Sequence, residues 1–110
     1  MAYPNSLGQI SDGFGTGTGY YTFSSSVALT NFHFYNVSAS STNWIARING
    51  TPQFTNTPNT VYYPTNGNQP ALGASGGFKG NISEVMIFDR VLSTNERATV
   101  QTYLSGKYGL

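Results

Sequence analysis

Phe78-Lys79-Gly80-Asn81-Ile82-Ser83-Glu84-Val85-Met86-Ile87-Phe88-Asp89-Arg90-Val91-Leu92-Ser93-Thr94-Asn95-Glu96-Arg97 is the most informative stretch of the chain. From Asn81 to Asp89 apolar residues run almost unbroken. Side chains alternate along a strand, which puts Ile82, Met86 and Phe88 on one side and Val85 and Ile87 on the other. A strand apolar on both sides is covered on both, so a central strand is expected here. In Ser93-Thr94-Asn95-Glu96 the serine hydroxyl can accept from the N–H three residues on, while Glu96 reaches back to the N–H of Ser93. A helix is therefore predicted to start at Ser93. Val100, Tyr103 and Leu104 recur at spacings of three and four as its apolar stripe, and Gly106 is placed to end it. The stripe is expected to pack on the strand before it.

Phe78, Gly80, Ile82, Glu84, Val85, Ile87, Phe88, Arg90, Leu92, Ser93, Glu96, Arg97, Val100, Tyr103, Leu104, Lys107, Tyr108 and Gly109 fall where the concanavalin A-like, laminin G-type jelly-roll domains keep their closing strand and C-terminal helix. The chain resembles that family most densely over this last third. Upstream, Ile48-Asn49-Gly50-Thr51 is similar to a family strand ending in an Asn-Gly hairpin, and Leu72-Gly73-Ala74 to the strand before the closing hairpin. The resemblance implies an all-β antiparallel β-sandwich, a jelly roll, with one short C-terminal helix. Complete domains of this kind use more chain than 110 residues, so a C-terminal portion, or a pared-down sandwich with fewer strands, is expected as a single domain.

Earlier segments fit that class. Met1 to Gly19, with Asp12-Gly13 and Gly15-Thr16-Gly17-Thr18-Gly19, is expected to be a loop or an arm that orders on a partner. The glycine run is not a phosphate cradle, because no lysine follows it and no helix opens there. Tyr20 to Phe23 is a short aromatic strand. From Val27 to Ser38 a longer strand sets Phe32 and Phe34 against His33, Tyr35 and Val37. Trp44 to Asn49 puts Trp44, Ala46 and Ile48 on one face and Ile45 and Arg47 on the other, and Asn49-Gly50 suits a tight hairpin. Thr51 to Asn68 carries Pro52, Pro58 and Pro64 and is an edge strand or long loop. Pro70 to Ser75 is a short strand, and Gly76-Gly77 turns into the closing one.

Charged residues are 8% of the chain against about a quarter in ordinary domains, with a formal net charge of +1. Neither nucleic acid nor an acidic membrane surface is an expected partner. Asn, Ser and Thr make up about a third of the residues, alongside 13 Gly, 8 Tyr and 7 Phe, the makeup of an all-β protein that uses amides and hydroxyls in place of charge. Without cysteine there are no disulfides or thiolate metal sites. The N-terminus has neither a basic start nor an apolar run, so no signal peptide is expected, nor any membrane insertion. Asn36-Val37-Ser38, Asn49-Gly50-Thr51 and Asn81-Ile82-Ser83 are glycosylation sequons, taken as unmodified on that ground.

The acidic residues are Asp12, Glu84, Asp89 and Glu96. A glycosidase needs two carboxylates facing each other across the bond. Glu84 is followed on its face by Met86 and Phe88, Asp89 points the other way, and Glu96 serves the helix cap. No enzymatic activity is expected, and the role read for Glu84 is an ion pair with Arg90, Arg47 or Lys107. His33 has no second ligand for a metal and is taken as a hydrogen-bonded strand residue. Some laminin G-type domains bind calcium through an aspartate and loop oxygens, for which only Asp12 and the glycine loop stand here, so no cofactor is expected. Tyr20, Tyr21, Tyr35, Trp44, Tyr62 and Tyr63 are the candidate ligand-binding residues, because sugar rings stack on flat aromatics while amides and hydroxyls meet their hydroxyl groups. The same residues also make cores and interfaces. The expected role is a recognition or adhesion module for glycan or a protein surface in an extracellular, cell-surface or virion assembly. The alternative is a structural subunit that binds no glycan. Open sheet edges, with few charges to guard them, predict a homo-oligomer or larger assembly, with Met1 to Gly19, Thr51 to Asn68, Tyr62 and Tyr63 at the contacts.

Overall fold

The computed structural model of the chain describes residue 1, residues 3–62 and residues 78–110. Tyr63, the strand expected from Pro70 to Ser75 and the Gly76-Gly77 turn lie outside them. The elements are β1 (Ile10–Asp12), β2 (Tyr21–Phe23), β3 (Tyr35–Ala39), β4 (Trp44–Ile48), β5 (Thr51–Asn56) and α1 (Thr94–Tyr108). Two antiparallel sheets result, β1-β2 and β3-β4-β5.

The second sheet is organised by its hairpin. Asn49 and Gly50 adopt φ of 49° and 81°, the left-handed pair whose twist joins two strands in as few residues as possible. The turn from Ser40 to Asn43, closed by Ser40 N on Asn43 O, sets Tyr35 opposite Ile48, Val37 opposite Ala46 and Ala39 opposite Trp44, so these six side chains share a face. Phe54 joins them opposite Ala46, and a bulge at Ala46/Arg47 then brings Pro52 opposite Arg47 on the edge strand, where its missing donor costs least.

That face receives the smaller sheet. Ile10 and Phe23 close onto Trp44, Ala46 and Ile48 as the buried core. The Phe23 and Phe54 rings stack at 5.5 Å, and Trp44 meets Tyr21 at 4.8 Å. The two layers bury one face each, the arrangement of a β-sandwich. On the reverse face of the larger sheet Arg47 is buried, donating to Ser38 Oγ at 2.9 Å and to Asn36 Oδ1 at 3.2 Å. Burial, and then the nearby Arg97 cation, lower its pKa.

Three expectations are corrected. Met1 to Gly19 is no free arm: Ile10 is fully buried and Asp12 nearly so, because a three-residue strand suffices once β2 lies beside it. The strand expected from Val27 is confined to Tyr35–Ala39, since β4 offers only five partners before its hairpin turns away. Phe32 is accordingly exposed, and His33 lies outside any strand. The largest departure is at Asn81 to Asp89, which joins neither described sheet and leaves Ile82, Val85, Met86, Ile87 and Phe88 exposed.

The helix starts as its sequence predicts. Ser93 Oγ accepts from Glu96 N at 3.3 Å, Glu96 Oε2 accepts from Ser93 N at 2.8 Å, and Arg90 braces the same carboxylate with two hydrogen bonds of 2.7 and 2.9 Å. It ends at Gly109 rather than Gly106, with Gly109 left-handed and its N–H on Ser105 O. The added turn puts Lys107 and Tyr108 against Glu84. No helical residue is fully buried, so the expected Val100, Tyr103 and Leu104 stripe is only half covered.

Hydrogen bonds from Arg90 and then Ser93 hold the Glu96 carboxyl down to about 2. Its folded pKa is depressed, so the brace is whole above the usual carboxyl range and is lost as pH falls toward 2. Ser93→Ala is expected to cost the helix about 0.5–2 kcal/mol. Because α1 is so little buried, this should appear as faster amide exchange in its first turn. Unchanged exchange there in the variant would contradict the cap.

Candidate functional site

The loop from Gly13 to Tyr20, between β1 and β2, is held to the rest of the domain by hydrogen bonds. Asp12 Oδ1 accepts from Phe14 N at 2.8 Å, the indole Nε1 of Trp44 donates to Phe14 O at 2.6 Å, and Gly17 N donates to Thr60 O at 2.7 Å. Asn59, itself buried, divides its amide between Gly15 O at 3.1 Å and Ser40 O at 3.0 Å, tying the loop to the β3–β4 turn. Gly15 has φ of 61°, and a Cβ there would stand 2.6 Å from that of Ala39. Only glycine fits so close a crossing.

Beneath the loop lies a polar knot on an apolar base. The Tyr21 ring packs on Trp44 and Phe54, while its hydroxyl accepts from Asn56 Nδ2 at 2.9 Å, Thr18 Oγ1 at 3.1 Å and Thr16 Oγ1 at 3.3 Å. The hydrogen bonds from Thr16, and then Thr18, lower the pKa of this hydroxyl by favouring its phenolate.

Above the loop the aromatic surface is open. Tyr20 is 64% exposed, and its ring lies 3.2 Å from where a Cβ on Gly13 would stand. Tyr62 is 52% exposed, with its Cβ 3.3 Å from the corresponding point on Gly17. Phe14, also 52% exposed, projects from the loop itself. Thr18 and Thr60 are exposed as well, with the Thr18 hydroxyl engaged by Thr16 and Tyr21.

The family model Laminin_G_3, described as concanavalin A-like lectin/glucanases superfamily, matches residues 3–96. The chain belongs to this superfamily. The match begins ahead of β1 and ends in the first turn of α1, taking in both sheets, the glycine loop and Phe78 to Glu96 of the segment that carried the resemblance in the sequence, while Arg97 to Gly109 lie beyond it. Searches of curated proteins and of solved structures gave no match.

Within this concanavalin A-like domain the six aromatic candidates separate. Trp44 is fully buried and offers a ligand no surface. Tyr35 is half buried in the core, its hydroxyl donating to Asp12 Oδ2 at 2.8 Å. The Tyr21 ring is likewise core. Tyr20 and Tyr62 are brought to one loop, and Tyr63 lies outside the described residues. Phe14 was not singled out in the sequence; its signal is an aromatic between two glycines directly after Asp12, where no strand face exists to bury it.

Each of the four other named residues has a structural contact. Glu84 pairs with Lys107 at 3.0 Å and accepts from Tyr108 at 2.8 Å, and these hydrogen bonds, Lys107 first, lower its carboxyl pKa. Arg90, Ser93 and Glu96 form the helix cap. His33 bonds Tyr3 Oη through Nε2 and Asn31 O through Nδ1. Both Asp12 oxygens already accept from protein donors in a buried setting, which does not suit a calcium ligand. Among the described residues no cluster of three or more metal-ligating side chains occurs.

Proposed function

We propose that this concanavalin A-like domain is a non-enzymatic recognition module of laminin G-type jelly-roll design that binds glycan on the Phe14, Tyr20 and Tyr62 rings. The observation that carries the reading is a loop pinned by Asp12, Trp44, Asn59 and Thr60 that holds Phe14 and Tyr20 in solvent, with exposed Tyr62 against it at Gly17. Exposed rings on a mobile loop would lose affinity to ordering, whereas rings on a prearranged one do not. Sugar C–H faces stack on such rings, and a hydroxyl such as that of exposed Thr60 meets the sugar's own. Three of the four carboxylates are tied to protein donors in Asp12, Glu84 and Glu96, which leaves no pair for glycosidic hydrolysis. An extracellular or virion surface is the setting such a module suits.

A glycan array followed by NMR titration tests this. Tyr20→Ala and Tyr62→Ala are each expected to weaken the selected glycan about tenfold, the equivalent of about 1.4 kcal/mol of stacking, without moving the unfolding midpoint. Saturable binding that ignores both substitutions, or none across the array, would refute the assignment. Reducing-sugar release abolished by Glu84→Gln would refute the non-enzymatic part.

A further inference from the structure

The segment between the glycine-rich approach and α1 is chemically out of place. Ile82, Val85, Met86, Phe88 and Val91 are exposed, and Ile87 is 77% exposed. Among the described residues no backbone-to-backbone hydrogen bond reaches residues 82–91. A run that is apolar on both faces, and whose backbone pairs with no strand among the described residues, is a template for strand pairing. It is also held ready: Glu84 is pinned to Lys107 near the end of α1, and Arg90 to Glu96 near its start. The segment is thus tethered to its own helix through both ion pairs, with bends at Asp89 and Arg90, and such tethering lowers the entropy left to lose on pairing.

We infer that residues 82–92 form a self-association strand, pairing antiparallel with the same segment of a second copy about a two-fold axis at Ile87. The charges select both the occupant and the register. Centred on Ile87, pairing sets Glu84 opposite the partner's Arg90, Met86 opposite the partner's Phe88, Ile82 opposite the partner's Leu92, and Ile87 opposite itself. Centred on Met86 it would set Glu84 against the partner's Phe88, and centred on Phe88 it would set Met86 against the partner's Arg90. Opposite charges and apolar pairs across strands stabilise, whereas a charge facing an apolar chain does not; the Ile87 register has one such mismatch, Val85 against the partner's Asp89, where the Met86 register has two and the Phe88 register three. The Ile87 register also extends the existing ion pairs into a row of alternating sign, from Lys107 through Glu84 to the partner's Arg90 and the partner's Glu96. The contact is self-complementary, so it closes at two copies. None of the glycine-loop residues takes part, and the dimer stands or falls independently of glycan binding.

The absence of cysteine makes the register directly testable. Residues directly opposite in antiparallel strands have Cα atoms about 4.5–5.5 Å apart, within disulfide reach. In the full chain, Ile87→Cys is expected to oxidise to a covalent dimer, while Val85→Cys, facing the partner's Asp89, does so at least about tenfold more slowly. Sedimentation velocity at micromolar concentration should give a dimer whose amides from Ile82 to Phe88 are protected from exchange. Ile87→Lys should raise the dissociation constant at least about tenfold with an unchanged circular dichroism spectrum. A monomer overturns the proposal, whether its segment is protected, by closure onto its own sheet, or unprotected. A dimer in which the segment exchanges freely, or in which Val85→Cys crosslinks as readily as Ile87→Cys, overturns it as well.

Discussion

Trp44→Ala is expected to destabilise the domain by about 3–5 kcal/mol, against a total of about 5–15 kcal/mol for domains in general. The indole is fully buried and meets the rings of Tyr21, Phe23 and Phe54 at centroid distances of 4.8, 6.2 and 6.1 Å. Truncation removes the largest buried side chain from the layer between the sheets, and so small a core has few neighbours able to move into the gap. It also strips Phe14 O of its donor, so the damage extends to the loop from Gly13 to Tyr20. Trp44→Phe keeps much of the apolar volume but not the N–H, and should fall between the two. Urea unfolding followed by circular dichroism, which needs no tryptophan signal, measures both. A loss below about 1 kcal/mol for the alanine variant would mean that the two sheets do not share this core.

Alkaline pH should unfold the protein through Tyr35. Burial in the first place, and the Asp12 carboxylate beside it, push the Tyr35 hydroxyl above the ordinary tyrosine value of 10.0. Tyr3, whose ring meets that of Tyr35 edge-on at 5.0 Å, is pushed the same way for the same two reasons. Both groups are neutral when protonated, and the native state holds their protons more tightly than the unfolded chain does. Their contribution is whole below pH 10 and is lost as pH rises beyond it. On account of Tyr35 alone, stability should fall by about 1.4 kcal/mol per pH unit above that point, with Tyr3 steepening the decline. Tyr35→Phe loses the hydrogen bond to Asp12 and should be about 1 kcal/mol less stable near neutrality, but its alkaline slope is shallower. Stability curves of the two proteins should therefore converge as pH climbs from 10. Parallel curves would show that Tyr35 is no more protonated in the native state than in the unfolded one.

These two results bear on the same connection. Asp12 accepts from Phe14 N through one oxygen and from Tyr35 through the other, and Trp44 donates to Phe14 O. The loop that carries the exposed rings is thereby fastened to the core from both sides of one peptide segment. If the loop binds glycan as proposed, recognition and stability are coupled through it, and Trp44→Ala is expected to weaken that binding although Trp44 is fully buried.

Features governed by neighbours in the sequence were legible from it. Ser93 and Glu96 stand three residues apart and cap a helix wherever that helix packs, and Asn49-Gly50 supplies its left-handed turn from backbone sterics alone. The faces of β4 followed from alternation, which depends only on the strand being extended. Superfamily membership was visible in the last third for a related reason, since its pattern is continuous in the chain. The remaining features depend on contacts between distant residues. Alternation at Asn81 to Asp89 states that both faces are apolar but not which strand lies alongside, and no described strand does. A three-residue β1 among glycines carries no period, and Ile10 enters the core only because Phe23 and Trp44 are there to meet it. Tyr20 and Tyr21 show the division most plainly: alternation requires one ring inside and one outside, but composition is the same for both. Which of them stacks on Trp44, and which is left in solvent, was decided when the second sheet closed over the first, because burial belongs to pairs of surfaces and not to single residues.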